Sequence, residues 1–337
     1  MLQEIKISEF KNSAGSVQDI HLTYEIFGKP LGTAPLVLIN HALTGNSSVI
    51  GNTGWWKEIV GDGKSIDTQE YTILAFNVPG NGYDGKEDHL LNNYKDFTLR
   101  DIAKIYQIAL NQLGITKIFA GVGGSIGGAL LWEQAVLSPE LFEHIIPVAS
   151  DYKATHWVKA LCKVQEQILN NSNTPVADAR MQAMTFYRSP QSFISKFGSL
   201  HGEQNSNWNI EGWLEHHGRK LEERFQLASY KLMNHLLTTA DISLGSGDHI
   251  TAASKINSNI HIITINSDGF FTPFENWETY VNLSLIKNNI SIHEINSIHG
   301  HDAFLIEYAQ VATFLKPIFN INKTQNEKDK YSTVWSR

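Results

Sequence analysis

Short apolar runs recur along the chain, and glycine-bearing or polar turns follow them. Leu36-Val37-Leu38-Ile39-Asn40, Lys117-Ile118-Phe119-Ala120-Gly121-Val122, Ile260-His261-Ile262-Ile263-Thr264-Ile265-Asn266 and Ser291-Ile292-His293-Glu294-Ile295 read as strands. They are short, rich in β-branched residues and bounded by turn signals. Helical patterns lie between them, such as Ala129 to Glu133 and Trp157 to Leu169. Strands and helices alternate from about residue 20 to residue 150, as in a mostly parallel sheet with helices on both faces. The texture then changes. From roughly 153 to 255 the chain is helix-like, rich in Gln and His, and poor in strand patterns. Alternation resumes at Ile260 and closes near Phe319. The expectation is a discontinuous core, residues 1–152 plus 256–320, a helical lid over 153–255, and a polar tail over 321–337. No internal repeat interrupts this plan.

One turn carries candidate chemistry. The strand ending at Val122 runs into Gly123-Gly124-Ser125-Ile126-Gly127-Gly128, and a helical pattern leaves it. A serine on so tight a strand-to-helix turn is strained, and small neighbours give it room. The turn holds the Ser125 hydroxyl clear of the sheet and aims the helix's first N–H groups at a developing oxyanion. The pattern alone is weak in a chain with 25 Gly. The strand before it and the helix after it make it a nucleophile elbow.

The partners come later. Asp268 follows the strand ending near Asn266, and His301 follows the strand ending at Ile295. The order Ser125, Asp268, His301 is that of the α/β-hydrolase fold. With 14 His present, His299 is the nearest rival as base. Asp248 rivals Asp268, but no convincing strand precedes it, and it reads as a solvated loop or helix cap. A second oxyanion donor usually comes from an early strand-to-helix loop. His41-Ala42-Leu43-Thr44-Gly45 is that loop, so the N–H groups of Leu43 and Ile126 are the natural pair. The alternative is that residues 41–45 are only a tight turn.

Composition removes several function classes. At 337 residues, 42% hydrophobic and 18% charged, the chain has material for one large core or two modest ones. A net charge of −7 with no basic stripe argues against nucleic acid. No apolar run reaches the length of a membrane span, and residues 1–6 lack a signal-peptide core. The single cysteine, Cys162, allows no intrachain disulfide and no cysteine-built metal site, and reads as a packed helical residue. These features fit the cytoplasm.

The motifs together resemble the homoserine O-acetyltransferase family. The likeness rests on His41-Ala42-Leu43-Thr44-Gly45, the Gly-Gly-Ser-Ile-Gly-Gly elbow and Gly300-His301-Asp302-Ala303-Phe304-Leu305. It extends through Ala179-Arg180-Met181, Tyr187-Arg188-Ser189, Lys196-Phe197-Gly198 and Ile210-Glu211-Gly212-Trp213-Leu214. It covers about residues 20 to 318. The resemblance implies Ser125, Asp268 and His301 as catalytic triad, Arg180 as partner of an amino acid's α-carboxylate, and Asp302 as partner of its α-ammonium. A guanidinium fork suits a carboxylate, and a carboxylate suits an ammonium. The bland alternatives are a surface arginine and a helix cap. The resemblance further implies acetyl-CoA as co-substrate with no permanently bound cofactor or metal, homoserine as acceptor, and a homodimer paired through lid helices. Trp208, Trp213, Phe225 and Tyr230 are candidates for that interface, the alternative being that several line a tunnel or fill the lid's own core. Succinyl-CoA as donor, serine as acceptor, plain ester hydrolysis, and a binding module without chemistry are the alternatives. The sequence departs from the family at Ala75 to Gly85, where members carry a longer segment with a Ser-Thr-Gly element.

Overall fold

The computed structural model describes residues 1–198 and 209–319. Six strands precede the first α-helix. β1 (Gln3–Lys11) and β2 (Val17–Gly28) form an antiparallel hairpin, and β3 (Leu36–Asn40) follows. A two-stranded parallel pair, β4 (Val60–Gly61) and β5 (Ile66–Asp67), leads to β6 (Thr72–Phe76). α1 (Leu99–Gln112), β7 (Ile118–Gly124), α2 (Ile126–Leu137) and β8 (Phe142–Val148) complete the first half. Among the described residues six helices come next: α3 (His156–Asn171), α4 (Pro175–Tyr187), α5 (Pro190–Phe197), α6 (Ile210–Glu222), α7 (Leu227–Thr238) and α8 (His249–Ser254). The chain then returns through β9 (Asn259–Ile265), α9 (Pro273–Ser284), β10 (Ile290–Ile295) and α10 (Tyr308–Phe319).

Eight strands form one sheet in the order β1-β2-β6-β3-β7-β8-β9-β10. β2 pairs antiparallel with both β1 and β6, and every pairing from β6 across to β10 is parallel. The inner parallel strands β3, β6, β7 and β8 are buried on both faces, which explains their continuous apolar runs. Alternate residues feed different cores. Leu38, Leu74, Ile145 and Ile262 pack with α1, α2 and the inserted helices. Ile39, Ile73, Ile146 and Ile263 pack with α10 and the segment around Trp56. The result is an α/β-hydrolase fold with helices on both faces and a large helical insertion between β8 and β9.

The N-terminal hairpin differs from the sequence reading, which began its alternation near residue 20. β1 lies at the sheet edge and buries only two of its nine residues, Ile7 and Phe10. So little burial leaves a faint apolar signal. Among the described residues, no helix is long and apolar enough to cross a membrane.

Candidate active site

The site is assembled from loops at the C-terminal ends of β3, β7, β9 and β10, where parallel α/β sheets present ligands. Ser125 sits between β7 and α2 at φ 56°, ψ −127°. A non-glycine residue at positive φ is strained, and it persists where the surroundings hold it. Here the Ser125 N–H donates to Val148 O at 2.9 Å, and the Ser125 carbonyl accepts from Gly128 N at 2.9 Å. Gly127 permits the close approach that follows. A Cβ there would lie 2.5 Å from Asn40 O and 2.7 Å from His41 O. The first turn of α2 thus packs directly on the backbone of the loop after β3, and Asn40 Nδ2 donates to Gly127 O at 3.2 Å.

Ser125, His301 and Asp268 form one buried hydrogen-bonded chain. His301 Nε2 lies 2.9 Å from Ser125 Oγ, and His301 Nδ1 lies 2.7 Å from Asp268 Oδ2. The other Asp268 oxygen accepts from the N–H groups of Phe270 at 2.7 Å and Phe271 at 3.0 Å. All three residues are nearly closed to solvent. Aromatic rings wall the imidazole: Tyr187, Phe270, Phe271 and Phe304 have centroids 5.2–5.8 Å away. This network is that of a Ser-His-Asp catalytic triad, the machinery of hydrolases and acyltransferases. His299 is turned elsewhere. Its Nδ1 lies 3.0 Å from Ser192 Oγ and 3.4 Å from Arg188 Nη1. Asp248 caps α8, accepting from Thr251 N at 2.8 Å. Cys162 is a buried residue of α3, and burial pushes its thiol up to about 12.

His41 shapes the loop that carries Leu43. Its Nδ1 donates to Ala42 O at 2.7 Å, and its Nε2 accepts from Val78 N at 3.0 Å. This pattern needs a neutral imidazole, and burial pushes the His41 pKa down to about 4. The side chain is a structural tie between the loop after β3 and the loop after β6. That second loop is itself tied down. Asn77 Oδ1 accepts from Ser47 N at 2.8 Å, and Asn77 Nδ2 donates to Thr23 Oγ1 at 3.0 Å. Ile126 opens α2, where first-turn N–H groups have no carbonyl a turn behind them.

The inserted helices bring cations to residues that surround the triad. Arg180, on α4, places its guanidinium 5.5 Å from the centroid of Tyr187, whose ring contacts His301. Asp302 follows His301 and forms an ion pair with Arg188, Nε to Oδ2 at 3.0 Å. Asp302 lies inside a short 3-10 helix, Gly300–Leu305, whose N-cap position belongs to His299. Sequence reasoning quoted Arg188 within a motif but missed this pairing. It also missed Arg224, whose Nη1 donates to Thr44 O at 3.0 Å in the loop that carries Leu43. Desolvation and the charge of Arg180 lower the Arg224 pKa. His217 is held down to about 4 by burial, then by Arg180 and its other cationic neighbours. One signal could have found these residues: arginines clustered in an insertion otherwise given to packing.

Trp213, Phe225 and Tyr230 correct an expectation. They are 8%, 6% and 1% exposed, so they fill the chain's own core and offer no outward face for pairing. Trp208 lies outside the described residues.

Comparison with known proteins agrees with the geometry. The alpha/beta hydrolase fold family matches residues 35–307. The homoserine O-acetyltransferase of Cyclobacterium marinum is 32% identical, covering 84% of each chain. That of Symbiobacterium thermophilum is 30% identical over 88% of each chain. Among solved structures, a homoserine O-acetyltransferase from Bacillus anthracis superposes with a TM-score of 0.83 at 18% identity, covering 95% of this chain and 97% of that one. Esterase E22 superposes with a TM-score of 0.81 at 17% identity, covering 95% of this chain and 100% of that one. The chain belongs to the homoserine O-acetyltransferase family within the α/β-hydrolase fold.

Proposed function

We propose that this family member moves an acetyl group from acetyl-CoA to the side-chain hydroxyl of L-homoserine through an acyl-Ser125 intermediate. The observation that carries the reading is the hydrogen-bonded line from Ser125 through His301 to Asp268, with Arg180 on the Tyr187 ring that contacts His301. His301 Nε2 takes the Ser125 proton as Oγ attacks the thioester carbonyl. Asp268 holds the imidazole in the tautomer with its proton on Nδ1 and steadies it when charged. The N–H groups of Leu43 and Ile126 stabilise the oxyanion, the term that usually contributes most. The C–S bond breaks, and the thiol leaves with the proton from His301. The homoserine hydroxyl then gives its proton to His301 and attacks the acyl carbon, and Ser125 recovers a proton from His301.

Arg180 binds the α-carboxylate of the acceptor and Asp302 its α-ammonium. Arg188 supports that role by holding Asp302 in place. We place the catalytic core in residues 1–152 and 256–320 and the lid in 153–255. A lid that narrows the site favours the bound hydroxyl over water. A homodimer paired through lid helices remains part of the proposal. Its support is the family pattern together with exposed apolar side chains on the inserted helices, Trp157, Val164 and Ile194.

The shared fold of acetyltransferase and esterase structures keeps hydrolysis as the second reading. The test is a matrix of acetyl-CoA and succinyl-CoA against homoserine, serine and water. The expected result is fastest transfer from acetyl-CoA to homoserine. Intact mass should show one added acetyl on the protein when acceptor is withheld, absent in Ser125→Ala. Hydrolysis outrunning every transfer would replace the reading with esterase. Full turnover by Ser125→Ala would remove the covalent mechanism.

A further inference from the structure

A second cluster of reactive side chains lies on the N-terminal hairpin and has no part in the acyl-transfer chemistry. Glu4 on β1, His21 on β2 and His89 in the loop after β6 converge, with one ligand atom from each lying within 4.8 Å of the other two. We propose that these three residues bind a divalent transition-metal ion of the zinc class. It would staple the β1–β2 hairpin to the loop that follows β6.

The donor set fits such an ion. Two imidazoles and a carboxylate are a common zinc set, and three protein ligands leave a fourth position for water. His89 is oriented for the task. Its Nδ1 donates to Asp84 Oδ2 at 2.5 Å, so its Nε2 carries the lone pair, 3.9 Å from Glu4 Oε1. A carboxylate that fixes the tautomer of a ligating histidine from behind recurs in metal sites. The His21 and His89 rings stack with centroids 4.0 Å apart, and His21 Nδ1 donates to Glu4 Oε1 at 2.6 Å. Tetrahedral zinc bonds near 2.0–2.1 Å set neighbouring donors about 3.3 Å apart. The 2.6 Å and 3.9 Å separations bracket that spacing, but the two rings lie nearly parallel, so seating the ion requires the partly exposed His21 ring to turn and to give up its Nδ1 proton. Glu4 Oε2 is held by Lys86 Nζ at 2.7 Å, which leaves Oε1 as a single-oxygen ligand. Lys86 is one positive charge against the carboxylates of Glu4, Asp84 and Asp88 that act on it, so the surroundings favour a cation.

The cluster is joined to the chemistry through the loop that follows β6 and through β2. The loop from Asn77 to His89 begins at the ties to His41 and Ser47 and ends at the cluster. An ion would therefore order the same loop from its far end.

The test uses the full chain, freed of metal with a chelator and titrated with Zn2+ and with Co2+ as optical probe. The expected result is one equivalent bound, with the strong visible absorption of four-coordinate Co2+ and a higher melting temperature in Zn2+. His21→Gln and His89→Gln should each lose that phase and the thermal shift. Asp84→Asn keeps all three ligands and should weaken binding about 10–100-fold. With 14 His in the chain, adventitious binding needs its own control, the H21Q/H89Q double variant. Undiminished one-equivalent binding in that double variant overturns the site. So does the absence of any one-equivalent phase in the wild type. If the histidine variants fail to fold, Asp84→Asn decides: affinity unchanged from wild type overturns the assignment.

Discussion

Asp268→Asn is a sharp test of the triad because the structure dictates how the new amide must sit. In the wild type one carboxylate oxygen accepts from Phe270 N at 2.7 Å and Phe271 N at 3.0 Å, and the other faces His301 Nδ1 at 2.7 Å. Asparagine offers one acceptor oxygen and one NH2 donor. If the NH2 faced the two backbone N–H groups, two buried donors would lose their acceptor, at about 1–3 kcal/mol each. The amide oxygen therefore stays on Phe270 and Phe271, and the NH2 points at His301 Nδ1. That nitrogen must then accept, so the imidazole proton moves to Nε2. Nε2 now donates toward Ser125 Oγ and has no lone pair with which to take its proton. The equivalent substitution in a serine protease lowers kcat by about 10⁴, which corresponds to about 5.5 kcal/mol of barrier. The expected result here is a loss of similar size in the acylation rate, with little change in melting temperature. The assay is thiol release from acetyl-CoA in a single turnover, followed with a chromogenic thiol reagent beside a thermal melt. Acylation within tenfold of wild type would refute the reasoning. Normal folding with intact rate would mean that Asp268 is not the residue that sets the tautomer.

Three further predictions rest on other parts of the structure. Arg188→Ala removes the partner of an Asp302 carboxylate that is 18% exposed, so it should raise KM for the amino acid acceptor several-fold while sparing acyl-enzyme formation; equal loss in both half-reactions would show that Arg188 does not act through Asp302. Gly127→Ala gains up to about 1 kcal/mol in helix propensity. It meets Asn40 O at 2.5 Å, and such overpacking costs about 1–3 kcal/mol, so a lower melting temperature and slower acylation are expected, and a more stable variant would disprove the contact. Burial raises the Asp151 pKa from 3.8 to about 7 despite bonds from Tyr152 N and Thr279 Oγ1. The folded state then holds a proton between pH 4 and 7 that the unfolded state has lost, so stability falls as pH rises through that window and levels off above it. A shift of about three units corresponds to at most about 4 kcal/mol. Asp151→Asn should flatten that fall in denaturant titrations across pH, and an unchanged slope would assign it to other groups, such as Glu133.

The sequence by itself located much of the chemistry, because the relevant signals are local. A strand, a glycine-flanked serine and a helix make an elbow wherever they occur in that order, and Ser125 needs nothing distant to be recognised. Asp268 and His301 were legible for a similar reason: each follows an apolar run, and parallel strands bring their C-terminal ends to one edge.

What the tertiary structure decided concerns pairs that only folding brings together. The sequence favoured His301 over His299 by its place in the last strand-to-helix loop, and the structure shows the His301 ring, not that of His299, facing Ser125. The Arg188–Asp302 ion pair and the reach of Arg224 to Thr44 join the insertion to the core, and no periodicity encodes such a contact. Trp213, Phe225 and Tyr230 looked available for a partner, yet packing among the inserted helices buries them. Glu4, His21 and His89 are silent as separate letters, because β1 is an edge strand with a weak pattern and His89 lies in a loop. Apolar periodicity reports which face of an element turns inward. It does not report which side chains of distant elements meet there. That depends on the register, tilt and side-chain packing that the whole chain settles at once.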